Sequence, residues 1–323
     1  MVISDNYIAT ASDAGILING GTSTLIQANQ ITENGTLECF DNITIQNGSG
    51  ITITGNLIQK AGAIGIDADG YAGNLMINEN TILTSGQNGG LCAGVIANAG
   101  IKLDGNNSTI SKNLIASNGG SGIVVSGGTT SGNLISQNSI YANGTTSPAL
   151  GIDLDLSDAL GDGVTLNYLG DLDSGPNGLI NFPIISGAFM SGGNLVVEGW
   201  SRPGATIEIF LTDVNQGTAT EGDNQLGLST DYGEGQVYVV TVTEGSAADL
   251  FSMVTPYTDL DNNTDNTNKF KFSIPMSIPI NVGNYITSTS TLSNSTSEFS
   301  PFSMIENYTV ITNRRITYRI KKN

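Results

Sequence analysis

One six-residue pattern constrains this chain more than any other feature: Ile-x-x-Asn-x-Ile. Its copies are Ile26-x-x-Asn29-x-Ile31, Ile53-x-x-Asn56-x-Ile58, Ile77-x-x-Asn80-x-Ile82, Ile110-x-x-Asn113-x-Ile115 and Ile135-x-x-Asn138-x-Ile140. The asparagines stand 27, 24, 33 and 25 residues apart. Self-similarity at a period of about 20–50 residues marks a stacked repeat. A second pattern accompanies it, two apolar residues flanking one variable position: Ile16-Leu17-Ile18, Ile43-Thr44-Ile45, Ile101-Lys102-Leu103, Ile123-Val124-Val125 and Ile152-Asp153-Leu154. Such short alternations read as strands with one buried face. No segment keeps a helical period, so helical repeats are excluded. A unit of about 25 residues with two or three short strands fits one turn of a parallel β-solenoid.

Stacked turns place equivalent residues about 4.8 Å apart. The isoleucines then form columns inside the coil. Asparagine tolerates the left-handed region that a sharp bend requires, and its amide can bond the asparagine one turn away. Asn29, Asn56, Asn80, Asn113 and Asn138 therefore predict an internal asparagine ladder with a structural role. The functional alternative is a row of polar residues along a groove.

These repeats resemble the right-handed parallel β-helix repeat proteins of bacteria, whose relatives include the pectate-lyase-like enzymes. The resemblance covers about residues 14–155 and implies a right-handed single-stranded parallel β-helix. It does not imply one function, because the fold hosts lyases, hydrolases, epimerases, adhesins and inert scaffolds.

Charged residues make up 12% of the 323-residue chain, about half the usual share, and the net charge is −18. That excludes a basic surface for nucleic acid or anionic lipid. A turn-rich, weakly charged all-β chain suits a secreted or cell-surface protein. Met1-Val-Ile-Ser-Asp5 lacks the basic start and apolar run of a signal peptide, and no apolar run is long enough to span a membrane. The coil begins abruptly, which predicts that the chain is a piece of a longer exported protein. Cys39 and Cys92 fall two turns apart by repeat counting, roughly 10 Å. A disulfide needs Cα atoms within about 7 Å, so two buried thiols are expected rather than a bridge.

In chain order, residues 1–13 read as a short lead-in and 14–150 as about five turns of coil. Two excursions break the period, Thr36–Asp41 and Gly86–Gly94. Insertions in a solenoid bulge from one side, which is often the binding face; neutral loop drift is the plainer reading of these two. Residues 151–182 are acidic and close on Pro176-Asn177-Gly178, resembling the closing segment of bacterial β-helix proteins before a Phe-Pro pair such as Phe182-Pro183. The coil with its acidic cap is assigned to 1–182. From Pro183, strand-like runs recur between turn signals, predicting a β-sandwich over 183–312. Gly199–Phe210 and Ile286–Ser300 resemble strand pairs of bacterial Ig-like modules, so the expected fold class is all-β, a parallel β-helix followed by an Ig-like sandwich. Trp200, the only tryptophan, is expected to anchor its core. A basic tail, 313–323, ends the chain.

The chain has no histidine, which removes His-based triads and the usual zinc sites. Residues 1–201 hold no arginine and only Lys60, Lys102 and Lys112, too few cations for a groove that grips polyuronates. A hydrolase needs two carboxylates across a cleft. The coil candidates are Asp67, Asp69, Glu79 and Asp104, of which Asp67 and Asp104 could stack on one face. Solvated surface carboxylates are the plainer expectation, and no catalytic residue is assigned.

Structural calcium is the expected cofactor. Asp259, Asp261, Asn263 and Asp265 place oxygens at alternate positions, as calcium loops do, although Thr264 stands where an EF-hand has glycine. Asp171, Asp173 and Asn177, with Asp162, form the second candidate. The expected function is non-catalytic adhesion or polysaccharide contact. The alternatives are a polysaccharide lyase or glycoside hydrolase whose active turns are weak or missing here, and a structural stalk in a larger surface protein.

Overall fold

A computed structural model describes residues 1–86, 88, 92, 98–146, 149–155, 163–171, 173–212, 234–251, 253–258 and 264–307. The chain is all-β, a parallel β-solenoid of six turns followed by two further sheets. The first solenoid sheet stacks Val2–Ser4, Leu25–Gln27, Thr52–Thr54, Met76–Asn78, Thr109–Ser111 and Leu134–Ser136. The second stacks Tyr7–Ala9, Gln30–Thr32, Leu57–Gln59, Thr81–Leu83, Leu114–Ala116 and Ser139–Tyr141. The third stacks Ile16–Thr22, Ile43–Ser49, Ile66–Gly73, Ile101–Leu103, Ile123–Ser126 and Ile152–Asp155.

The register follows from the repeat. Ile3, Ile26, Ile53, Ile77, Ile110 and Ile135 lie opposite one another through the first sheet. Ile8, Ile31, Ile58, Ile82, Ile115 and Ile140 do so through the second. Most are fully buried and join one core cluster. Each buried isoleucine contributes roughly 1.5–3 kcal/mol. A slip of one residue would turn a whole column outward, so the isoleucines fix the register.

Residues 1–13 are not a lead-in. Val2–Ser4 and Tyr7–Ala9 are the first two strands of the first turn. Ile3-Ser4-Asp5-Asn6-Tyr7-Ile8 is a sixth copy of the organising pattern, and its rung pairs with the second turn.

The two remaining sheets form a sandwich. One runs Met253–Thr258, Thr264–Pro275, Asn194–Ser201, Ile184–Ser191, Glu306–Asn307. The other runs Val237–Thr243, Thr206–Thr212, Tyr285–Leu292, Ser295–Thr296, with Ser303–Met304 also on Tyr285–Leu292. Leu195, Val197, Phe270 and Phe272 meet Ile207, Ile209 and Ile286 between them. Trp200 is not part of this core. Leu195 and Val197 face inward, so the strand's alternation turns Glu198 and Trp200 outward. There Trp200 stacks on Tyr257 at 4.8 Å and lies under the Lys269 ammonium at 5.2 Å.

The strand Thr206–Thr212 is buried on both faces. Ile207 and Ile209 enter the sandwich core, while Phe210 joins the solenoid core with Phe299. The second sheet of the sandwich therefore closes the last solenoid turn. The Ile135 amide donates to Thr296 Oγ1 at 3.0 Å, and the Ile140 amide to the Gly235 carbonyl at 2.8 Å.

Candidate functional site

The bend between the first and second sheets holds an asparagine row of six. In each rung the backbone and side-chain N–H groups of one asparagine donate to Oδ1 of the next, at 2.9–3.0 Å. The row runs Asn6, Asn29, Asn56, Asn80, Asn113, Asn138. The asparagines do not themselves take the left-handed conformation. The residue before each one does: Asp5, Ala28, Gly55, Glu79, Lys112 and Gln137 have φ of 53–63°. The amide bonds offset that local strain. The five asparagines read from sequence are all here, buried and spent on the fold.

A second row lies five residues on. The Ala11 amide donates to Asn34 Oδ1, the Ser85 amide to Asn118 Oδ1, and Asn118 to Asn143 Oδ1. A third runs from Ser108 to Asn133 to Asn177.

The residue four positions after each ladder asparagine takes a left-handed bend of its own: Thr10, Glu33, Lys60, Thr84, Ser117 and Ala142, with φ of 52–58°. This bend displays one side chain per turn along the axis. It floors a groove of about 480 Å³, lined by Glu33, Lys60, Thr84 and Ser117 and walled by Thr36 and Asn88. Lys60 Nζ pairs with Glu33 Oε1 at 2.9 Å, across one turn. That partner raises the Lys60 pKa, first through its hydrogen bond and then through its charge. Sequence reading missed this row. The signal for it was the constant offset of four from the ladder asparagine.

The groove wall comes from the two excursions, and here the cysteine expectation is overturned. Cys39 and Cys92 form a disulfide with Cα atoms 5.3 Å apart. Counting turns measures distance along the coil axis, but these residues sit on loops that leave it. The first loop reaches over the small connection Ala61-Gly62-Ala63 of the third turn, and Cys39 and Cys92 both pack on Ala63. The Asn88 amide also donates to the Thr36 carbonyl.

A second polar cluster occupies the outer face of the third sheet. Asp67 lies opposite Thr44 on one side and Lys102 on the other. Asp67 and Asp104 are thus not equivalent positions: Asp104 is a step further along, its amide on the Ala68 carbonyl. Asp104 takes Lys102 Nζ at 2.6 Å and accepts from Ser126 Oγ. Asp41 accepts from the Ile64 amide at 2.9 Å and from Thr44 Oγ1 at 2.8 Å. Burial, with the charge of Asp41 next, raises the Asp67 pKa to about 7. Burial likewise raises Asp41 to about 6. Asp67 Oδ1 is buried with no hydrogen-bond partner among the described residues.

Of the residues read as calcium ligands, Asp162, Asp259, Asp261 and Asn263 lie outside the described residues, and Asp265 is described only as backbone in Thr264–Pro275. Asn177 is the last rung of the third asparagine row, its Oδ1 on the Asn133 amide and its Nδ2 on the Asn133 and Thr296 carbonyls. Asp171 accepts from the Asn181 amide at 2.8 Å and faces Arg202 at 3.8 Å. Asp173 is half-buried, and burial raises its pKa. Among the described residues no group of three or more acidic or cysteine side chains is placed to hold a metal.

No family model matches the chain. Among solved structures it is similar to full-length tailspike protein 2 of Escherichia coli O157:H7 bacteriophage CAB120, at a TM-score of 0.35 and 12% identity, over 90% of this chain and 48% of that one. It is also similar to the enzymatically active domain of tailspike protein 2 of bacteriophage CBA120, at 0.29 and 14%, over 94% and 57%. The chain thus spans about half the length of these proteins. No helix among the described residues is long and apolar enough to cross a membrane.

Proposed function

We propose that this is a secreted or cell-surface protein whose coil contacts polysaccharide along the groove floored by Glu33, Lys60, Thr84 and Ser117. The groove itself carries the reading. Its surface is mainly apolar, and it offers one polar residue per turn, Glu33, Lys60, Thr84 and Ser117, about 4.8 Å apart. Its chemistry favours a neutral glycan. Lys60 is paired with Glu33 and Thr84, Ser117 and Thr36 supply hydroxyls, so nothing here would compensate a run of uronate carboxylates. The disulfide supports an oxidising, extracellular setting. The test is titration calorimetry with neutral and acidic linear oligosaccharides. Neutral chains should bind, and Ser117→Trp, which fills the groove floor, should abolish binding. Tighter binding of uronates, or no effect of Ser117→Trp, would sink the reading.

A second reading, glycoside cleavage on the third sheet, is favoured by the placement of Asp67: its Oδ1 is buried with no hydrogen-bond partner among the described residues, and burial pushes the carboxyl up to about 7, so it can hold a proton to give to a leaving oxygen. Asp69 or Asp104 would be the partner carboxylate. The measurement is release of reducing ends from a polysaccharide panel. Release that disappears in Asp67→Asn supports cleavage, and no release leaves the cluster a structural feature of the sheet.

A further inference from the structure

One wall of the groove is not made by the coil itself. Thr36 and Asn88 follow the second-sheet strands Gln30–Thr32 and Thr81–Leu83, of the second and fourth turns, and both line the groove. The first loop is tied down by backbone bonds: the Gly62 amide on the Asn34 carbonyl at 2.9 Å, and the Ala63 amide on the Phe40 carbonyl at 2.8 Å. At the start of the second loop, the Gly86 amide bonds the Ala61 carbonyl at 3.1 Å. Among the described residues beyond Gly86, the ties between the loops are the Asn88–Thr36 hydrogen bond and the Cys39–Cys92 disulfide. Cys39 is half-buried, so a small thiol can reach the bond.

We propose that the Cys39–Cys92 disulfide is a latch that holds the groove wall in its binding shape, so that glycan contact is lost when the bond is reduced. The inference rests on the groove being the contact site. The reductant is a dithiol. One of its thiolates attacks a cystine sulfur, giving a mixed disulfide and one cysteine thiolate. Its second thiol then displaces the other cysteine. The products are two cysteine thiols and the cyclic disulfide of the reductant. Among the described residues, what then holds Asn88 to Thr36 is one exposed hydrogen bond, and such a bond competes with water.

The experiment uses the full chain in three forms: oxidised, reduced with dithiothreitol, and doubly substituted, Cys39→Ser with Cys92→Ser. The probes are neutral linear hexasaccharides, and hydrogen exchange is followed at 35–41, 84–92 and the coil strands. The expected result is binding at least tenfold weaker in the reduced and substituted forms. Exchange should be faster in the two loops and unchanged in the strands. Equal affinity in all three forms would overturn the latch. If the oxidised protein binds none of the probes, the groove reading fails. Loop exchange then still decides whether the bond clamps the wall, and unchanged exchange rejects the latch as well.

Discussion

The carboxylate of Glu208 takes the hydroxyl of Ser136 at 2.6 Å and the amide of Gln137 at 2.8 Å. Ser136 ends the first-sheet strand of the last turn, and Gln137 is its left-handed bend residue. Glu234 does the same for the second asparagine row, accepting from Asn143 Nδ2 at 3.0 Å. Glu298 does it for the third sheet, accepting the amides of Leu154 at 2.9 Å and Thr165 at 2.7 Å. A solenoid ends on unpaired backbone groups that must be covered. Here three carboxylates from the second unit meet the last turn. Glu208→Ala leaves a hydroxyl and an amide unsatisfied, at a cost of about 2–3 kcal/mol. Hydrogen exchange should quicken first in 134–155 and stay slow in 25–59. Uniform quickening along the coil would refute this capping role.

The asparagine rows predict a graded response. Asn80 accepts two bonds from Asn56 and donates to Ile53, Asn78 and Asn113. It is fully enclosed. Asn80→Ala strands several buried polar groups and should cost about 3–5 kcal/mol. Asn6, at the exposed first turn, donates to Asn29 and to its own turn. Asn6→Ala should cost about 1 kcal/mol. Chemical denaturation of both variants checks this, and equal losses would show that burial does not set the value of a rung.

Asp67 and Asp41 make stability depend on pH in a stated direction. Both titrate higher in the folded chain, about 7 and about 6, than an unfolded aspartate near 3.9. Between about pH 4 and 7 the folded state therefore holds more protons, and stability falls as pH rises. Burial pushes Glu208 and Glu298 in the same direction. The melting temperature should drop from pH 5 to pH 8. Asp67→Asn should flatten that slope and stabilise the chain at pH 8, on the order of 2 kcal/mol. A variant that melts lower than the parent at pH 8 would mean that Asp67 works as a bound anion in the fold.

The coil was legible because its signal is periodic. Isoleucine at a fixed offset from asparagine repeats often enough to fix sheet, register and ladder together. Asn6 escaped because its copy opens the chain, with no apolar-variable-apolar strand ahead of it. Glu33, Lys60, Thr84 and Ser117 escaped because they share a backbone conformation, not a residue type. The disulfide escaped because loop reach is invisible to turn counting. Trp200 misled because a lone tryptophan suggests a core, while the alternation of Asn194–Ser201 turns it outward. The docking of the second unit rests on glutamates far apart in sequence, and no local pattern announces such contacts.

Two glycines separate steric need from conformational need in this coil. A Cβ on Gly62 would lie 2.0 Å from the Gly35 carbonyl oxygen and 2.7 Å from that of Glu38. Both are backbone atoms of the first loop, which carries Thr36 and Cys39. Gly62→Ala must lift that loop, at a cost of about 1–3 kcal/mol, and should raise exchange at 35–41. Gly55 has φ of 63° but nothing within 4 Å of its added Cβ. Equivalent bends carry Ala28, Glu79 and Lys112 in the same conformation, so Gly55→Ala should cost about 1 kcal/mol or less. Measured side by side, the pair asks whether the loop rests on the coil at Gly62. If Gly62→Ala is as mild as Gly55→Ala and leaves exchange at 35–41 unchanged, the loop does not rest there, and its hydrogen bonds and the disulfide hold the groove wall.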